Sequence, residues 1–187
     1  PGSVVENRTG ILKTVPYRSD RTAATRDGDD AVIMDATTSI SVVSVTVEKR
    51  VDGPGATDHA DEAWELKERI RRTENVLKQR KRFFMDAYRR STTHLLYLGD
   101  DLVGFATTRR DGYILFLAVA PEHRDEGFGR RLIAEVAEDH RTVTCHARAT
   151  NDGALSFYES IGFEIKRRID GYYEDDGDAY YLRLGSN

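Results

Sequence analysis

This chain is short of several things, and each shortage removes a class of function. Its one cysteine, Cys145, excludes an intrachain disulfide, which fits a reducing compartment. No apolar run approaches the ~20 residues needed to span a bilayer, and no signal-peptide pattern is visible. The expected location is therefore the cytoplasm, with no membrane partner. Basic charge is not in excess either. With 28 Lys and Arg against 32 Asp and Glu, the net charge is −4, which argues against nucleic-acid binding by broad phosphate neutralisation. The clusters Lys78-Gln-Arg-Lys-Arg82 and Arg89-Arg90 read as solvated helix faces. His59, His94, His123 and His140 lack metal-ligand spacing with other donors, so no metal is expected. There is no internal repeat.

What remains suits a single domain: 187 residues, 39% hydrophobic and 32% charged. Residues 1–35 show no sustained periodicity and read as a disordered extension. The sequence starts at Pro1, and Met34 stands just before the first strand-like run, so Met34 is a candidate native start. Residues 36–187 form the expected domain. The β-branched run Ile40–Val47 reads as a strand and Val51–Gly55 as a turn. His59–Arg90 has no Gly or Pro and places apolar residues at helical spacing, with a break possible near Thr73. Strands are expected at Thr93–Leu98 and Leu102–Thr108 around a Gly99–Asp101 turn. Asp111-Gly112 then turns the chain into Tyr113–Val119, whose continuous apolarity suggests a strand covered on both faces. A helix to about His140, a strand over Thr142–Arg148, a helix over Asn151–Ser160 and strands over Ile161–Ile169 and Asp178–Leu184 complete an α/β order.

Between the Tyr113–Val119 strand and the helix after it lies Arg124-Asp-Glu-Gly127-Phe-Gly129-Arg130. Two glycines at this spacing let backbone N–H groups turn inward at a helix N-terminus, a site suited to phosphate oxygens. About 25 residues downstream lies Asn151-Asp-Gly-Ala-Leu-Ser-Phe-Tyr158-Glu-Ser-Ile-Gly162-Phe163. Asn151 can cap the helix it opens, and Tyr158 lies two turns further on the same face. Read alone, this second motif is equally a capped amphipathic helix with Phe157 and Tyr158 buried.

Together the two motifs resemble those of the GNAT superfamily of N-acetyltransferases, over approximately Ser39 to Leu184. The resemblance implies a mixed, twisted sheet of six to seven strands with flanking helices and a splayed central cleft. It also implies acetyl-CoA as co-substrate. Backbone groups of Leu117, Ala118 and Val119 would pair with the pantetheine arm. The loop Arg124, Asp125, Glu126, Gly127, Phe128, Gly129 and Arg130 would hold the pyrophosphate. Asn151, Ala154 and Tyr158 complete the implied cofactor contacts, with Tyr158 protonating the departing thiolate. Asp125 and Glu126 depart from the family pattern. Their charges oppose a phosphate, which predicts weaker or more salt-dependent binding.

The resemblance points to the strand before Asn151 for the general base, and strand alternation sorts that strand into two faces. Thr142, Thr144, His146 and Arg148 share one face, and Val143, Cys145 and Ala147 the other. Many relatives have a glutamate five residues before the motif's asparagine. Some of the N-terminal α-amine acetyltransferases, the class that includes the ribosomal-protein alanine type, instead have a histidine there, matching His146 and paired with a tyrosine matching Tyr113. They also have a tyrosine pair matching Tyr172 and Tyr173. The resemblance thus implies catalysis by His146, Tyr158 and Tyr113, and an amine pocket walled by Tyr113, Tyr172 and Tyr173. A histidine of pKa ~6.5 sits about 1.5 units below an α-amine and about 4 below lysine, so it suits the weaker amine. His146 is otherwise a strand histidine satisfied by a carbonyl, Tyr113 a core aromatic, and the tyrosine pair a sheet cap. Cys145 alternates away from His146, which disfavours a Cys–His nucleophile. The charged, proline-free stretch Arg69–Val76 departs from the peptide-gripping loop of N-terminal acetyltransferases. The expected activity is acetyl transfer from acetyl-CoA to a primary amine, with a protein N-terminus as the leading acceptor. A small-molecule amine and a non-catalytic acyl-CoA-binding module stay open, as does the choice between monomer and homodimer.

Overall fold

A computed structural model of the chain describes residues 46–74 and 76–185. The expected extension over residues 1–35, the start at Met34 and the strand over Ile40–Val47, up to residue 45, lie outside the described residues. Strand β1 is Val47–Asp52. Val51 and Asp52, expected in a turn, instead pair with His94 and Thr93. The Asp52 carboxylate explains this placement. Buried at 3% exposure, it accepts hydrogen bonds from the Tyr88 hydroxyl at 2.7 Å and the His59 N–H at 3.0 Å.

The Gly- and Pro-free stretch does break near Thr73, giving helices α1 (Ala60–Glu74) and α2 (Lys81–Arg89). The Thr73 hydroxyl donates to the carbonyls of Arg69 and Ile70, a local competition that favours a helix end. In the connection, Leu77 takes a φ of 54°, a left-handed conformation unfavourable for a branched side chain. Packing of Leu77 against the core offsets it.

Strands β2 (Thr92–Leu98), β3 (Asp101–Thr108) and β4 (Ile114–Val119) follow, close to the sequence expectation. They join β1 in an antiparallel sheet of order β1-β2-β3-β4. One face, through Leu95, Phe105, Phe116 and Ala118, packs on Ala60, Ala63, Leu66, Ile70, Phe84 and Tyr88 of α1 and α2. The other, through Leu96, Val103, Ala106 and Ile114, packs on Leu132, Ile133 and Val136 of helix α3 (Phe128–Asp139). Strand β4 touches both clusters, but it ends its sheet, and Leu115, Leu117 and Val119 stay half-buried. The strand expected to be covered on both faces is thus only partly covered.

Strand β5 (Val143–Arg148), helix α4 (Asp152–Ser160) and strands β6 (Glu164–Ile169) and β7 (Ala179–Leu184) form the second half. Their sheet runs β5-β7-β6 and is antiparallel. Among the described residues, seven strands therefore divide into two sheets that meet at one parallel bridge, Tyr113–Thr144. There the Thr144 N–H donates to the Gly112 carbonyl at 3.0 Å. Gly112 has a φ of +80°, and a Cβ there would lie 2.2 Å from the Thr142 carbonyl oxygen, so only glycine allows this approach. Just past the bridge the β3–β4 register slips, with Thr107 opposite Phe116 and Thr108 opposite Ile114. The bulge at Leu115 bends β4 and accounts for its separation from β5. This is the splayed cleft that the resemblance implies.

Candidate active site

The bridge between the sheets delivers two expected site residues to one place. Tyr113 sits at the mouth of β4, and His146 faces it from β5. The Tyr113 hydroxyl and His146 Nδ1 are 2.8 Å apart. Tyr172, from the loop between β6 and β7, stacks on the imidazole with centroids 4.5 Å apart and planes at 16°. Its hydroxyl lies 3.4 Å from the same Nδ1. Alternation on β5 holds as read: Val143, Cys145 and Ala147 enter the core, and His146 is only half-buried. His146 Nε2 is buried with no partner among the described residues. Burial, and secondarily the positive charge of Arg167, lowers the imidazole pKa below its ordinary value.

Tyr113, His146 and Tyr172 line a cavity of about 370 Å³. Five further residues line it that sequence reasoning did not single out: Gln79, Phe83, Arg109, Leu115 and Phe116. Gln79 and Phe83 come from the α1–α2 connection and α2, where nothing in the sequence distinguishes a cavity wall from a solvated face. Leu115 follows from the bulge, which periodicity cannot reveal. Phe83 and Tyr172 are large apolar side chains left 55% and 43% exposed, and they form an open aromatic mouth.

Tyr173 does not line this cavity. It packs edge-on against Tyr172 at 5.1 Å and carries the Arg148 guanidinium 4.1 Å from its ring centre. Arg148 also pairs with Asp175 at 3.0 Å, and Asp175 lies 3.7 Å from Lys78. This chain of charges connects the β6–β7 loop to the α1–α2 connection, the two segments on either side of the cavity.

Tyr158 stands deeper, 8% exposed in the core beneath α4. Burial, with the Cys145 thiol as its hydrogen-bonding neighbour and Tyr173 and Tyr113 nearby, raises its pKa well above 10. It therefore keeps its proton at any physiological pH. The Cys145 thiol, itself buried, is pushed up to about 12 and is no nucleophile. Asn151 caps α4, its side-chain oxygen accepting from the Ala154 N–H at 3.0 Å, and Ala154 packs against the core.

The glycine loop begins after a short 3-10 turn, Pro121–His123. Asp125 and Gly127 adopt φ of 62° and 87°, and a Cβ on Gly127 would meet nothing within 4 Å. Alternating left-handed residues turn successive N–H groups to one side. No side chain caps the α3 N-terminus, so its first N–H groups stay available. The loop's arginines are engaged elsewhere: Arg124 pairs with Glu74 at 2.6 Å and Arg130 donates to the Ser160 carbonyl at 3.2 Å. Glu126 lies 3.3 Å from His123. Beyond the Tyr113 bridge, the β4 edge at Leu117, Ala118 and Val119 is paired only with β3 among the described residues. An unpaired strand edge leading to an uncapped helix N-terminus fits an extended amide chain ending in a diphosphate.

Residues 57–163 match the acetyltransferase (GNAT) family. The chain is 33% identical to N-alpha-acetyltransferase 30 of Xenopus laevis over 103 residues, 48% of this chain and 38% of that protein. It is 36% identical to N-alpha-acetyltransferase RimI of Mycobacterium tuberculosis over 101 residues, 47% of this chain and 62% of that protein. The match thus spans less than two thirds of either relative. The fold resembles that of the ribosomal-protein-S18-alanine N-acetyltransferase from Escherichia coli, with a TM-score of 0.61 and 22% identity over 75% of this chain and 96% of that one. Ard1 from Thermoplasma volcanium resembles it similarly, with a TM-score of 0.59 and 20% identity over 73% and 96% of the two chains.

Proposed function

Because the chain belongs to the acetyltransferase (GNAT) family, we propose that it transfers acetyl from acetyl-CoA to a primary amine, specifically a protein N-terminal α-amine. The observation that carries this reading is the His146–Tyr113 contact at 2.8 Å on the wall of an open cavity. Burial raises the Tyr113 pKa, and its hydrogen bond to Tyr172 raises it further, so the phenol keeps its proton. With its proton on Nδ1, the imidazole donates to the Tyr113 oxygen. That tautomer leaves the lone pair on Nε2, the atom without a partner, free to accept a proton from an attacking amine.

Acetyl-CoA, when bound, supplies the acetyl group and leaves as the free thiol. The β4 edge at Leu117–Val119 would hold its amide arm, and the N–H groups of Asp125–Arg130 its diphosphate. An N–H near Val119 would stabilise the oxyanion. Tyr158, kept protonated by burial, would supply the thiolate's proton. A base weaker than ordinary histidine suits an α-amine near pKa ~8 better than a lysine near ~10.4. The exposed aromatics at the cavity mouth give a peptide apolar surface to lie on. A cytoplasmic location, the reading taken from the single cysteine, belongs to this proposal.

The test is turnover with acetyl-CoA against a panel of peptides and small amines, reading released thiol with a chromogenic reagent. The buried Cys145 thiol adds no background. Turnover with free peptide N-termini supports the proposal. Turnover with small amines alone points to a small-molecule acetyltransferase, and cofactor binding without turnover points to an acyl-CoA-binding module.

A further inference from the structure

Three aromatic rings from three separate segments hold the His146 imidazole. Tyr113 meets Nδ1 from the mouth of β4, and Tyr172 stacks on the ring from the β6–β7 loop. The third ring is Tyr181, on β7. The β5–β7 register sets it directly opposite His146, with ring centres 5.2 Å apart and planes at 45°. Tyr181 is not among the residues that line the acceptor cavity, so its influence on the reaction passes through the imidazole.

Strand β7 is the middle strand of its sheet, and its register with β6 puts Arg167 directly opposite Tyr181 on the other side. The guanidinium carbon of Arg167 lies 5.3 Å from the Tyr181 ring centre. Imidazole, phenol ring and guanidinium therefore form one row across three strands, and directly opposite side chains are the ones that interact in a sheet. Arg167 is exposed, and no carboxylate pairs with it among the described residues. The cations of the neighbouring segments are paired: Arg148 and Lys78 with Asp175, and Arg109 with Asp111. Tyr113 and Tyr172 are the titratable groups that touch Nδ1. Arg167 is thus the cation whose charge reaches the imidazole, and the half-buried Tyr181 ring stands between the two.

A ring in that place keeps water off one side of the imidazole. It also keeps the space toward the guanidinium low in dielectric, so the Arg167 charge is felt there rather than screened. We propose that Tyr181 is a positioning residue for the general base, clamping the imidazole against Tyr172 and shielding it from water on the Arg167 side. This rests on His146 acting as the base for an α-amine, and it names the residue that holds that base in its working state.

The test is Tyr181→Thr, which brings in a small β-branched residue suited to a strand. Tyr181→Phe is the control that keeps the ring. Above about pH 8 the imidazole is neutral in every variant, so kcat there reports orientation alone. Tyr181→Thr should lower it by about tenfold, the size of one lost aromatic pair, with the acetyl-CoA dissociation constant unchanged. Water admitted beside the imidazole also relieves its burial and screens Arg167. The imidazole midpoint, read by NMR titration, should therefore move up toward that of an ordinary histidine. Adding Arg167→Ala to Tyr181→Thr should then shift the midpoint less than Arg167→Ala does alone, and Tyr181→Phe should keep both wild-type values. A lowered kcat with an unmoved midpoint would make Tyr181 merely structural and overturn the proposal. A Tyr181→Phe protein that behaves like Tyr181→Thr would overturn it too. Because the NMR midpoint is read without an acceptor, neither result bears on α-amine acetylation, which fails instead if wild-type protein leaves peptide N-termini unmodified.

Discussion

Tyr113 and His146 belong to different sheets, yet the phenol oxygen and imidazole Nδ1 lie 2.8 Å apart. The bridge between the sheets, Tyr113–Thr144, makes this possible. The residue that closes the gap between β4 and β5 also touches the imidazole of the proposed base. Below the bridge the sheets share a core; above it they part and expose the β4 edge. The Tyr113–His146 contact and the exposed β4 edge thus depend on the same local event.

His146→Ala should lower kcat by about 10²-fold or more, with the dissociation constant of acetyl-CoA unchanged by calorimetry. Tyr113→Phe should have a smaller effect in the same direction, because it removes only the oxygen that fixes the ring. Tyr158→Phe should lower kcat more than cofactor affinity. A His146→Ala protein with wild-type kcat would remove the imidazole from the chemistry.

The pH dependence has a definite sign. Burial, and then Arg167, depresses the His146 pKa, so the neutral base persists to lower pH than an ordinary histidine allows. At saturating substrate, kcat should hold on the acid side and fall only below the usual histidine midpoint. Removing the nearby positive charge in Arg167→Ala should move that midpoint upward, as NMR titration of the imidazole can measure. A downward shift in that variant would contradict the assignment.

Asp125 stands in the proposed phosphate loop with a left-handed φ of 62°, a conformation asparagine also tolerates. Asp125→Asn should therefore keep the loop and remove a repulsive charge. Acetyl-CoA should bind severalfold tighter at low ionic strength, and the gain should shrink as salt screens it. Calorimetry at two salt concentrations decides this, and weaker binding would place the diphosphate elsewhere.

Asp52 predicts a stability effect remote from the chemistry. Burial opposes its ionisation, but hydrogen bonds from Tyr88 and His59 prevail and hold its pKa below 3.8. Its contribution is present above the ordinary carboxylate pKa and is lost as pH falls through the depressed value. Asp52→Ala leaves the buried Tyr88 hydroxyl without its acceptor and should cost about 2–4 kcal/mol in denaturant unfolding. A loss below about 0.5 kcal/mol would show the network to be idle.

The fold was legible wherever pattern is local. The β2–β3 hairpin, the α3 and α4 helices and β5 fall within a residue or two of the expected ranges. Strand alternation put His146 opposite the core side of Cys145 correctly. The end of β1 was misread because Val51-Asp-Gly-Pro-Gly55 carries turn residues. A buried carboxylate held by Tyr88, far along the chain, keeps Asp52 in the sheet, and no local pattern encodes that partner. Gln79, Phe83 and Arg109 were missed for the same reason: a polar or exposed residue on a cavity wall has the sequence signature of any surface residue. Tyr172 stacks on the imidazole and Tyr173 packs against Tyr172, and adjacent aromatics in a loop do not reveal from sequence which one reaches the ring.

The most direct measurement of the central claim uses a peptide with a free N-terminus and one internal lysine, incubated with acetyl-CoA and sequenced by tandem mass spectrometry. The account predicts one acetyl group, on the N-terminal fragment ions, in wild-type protein and almost none in His146→Ala. An acetyl group on the lysine with the N-terminus left free would contradict it.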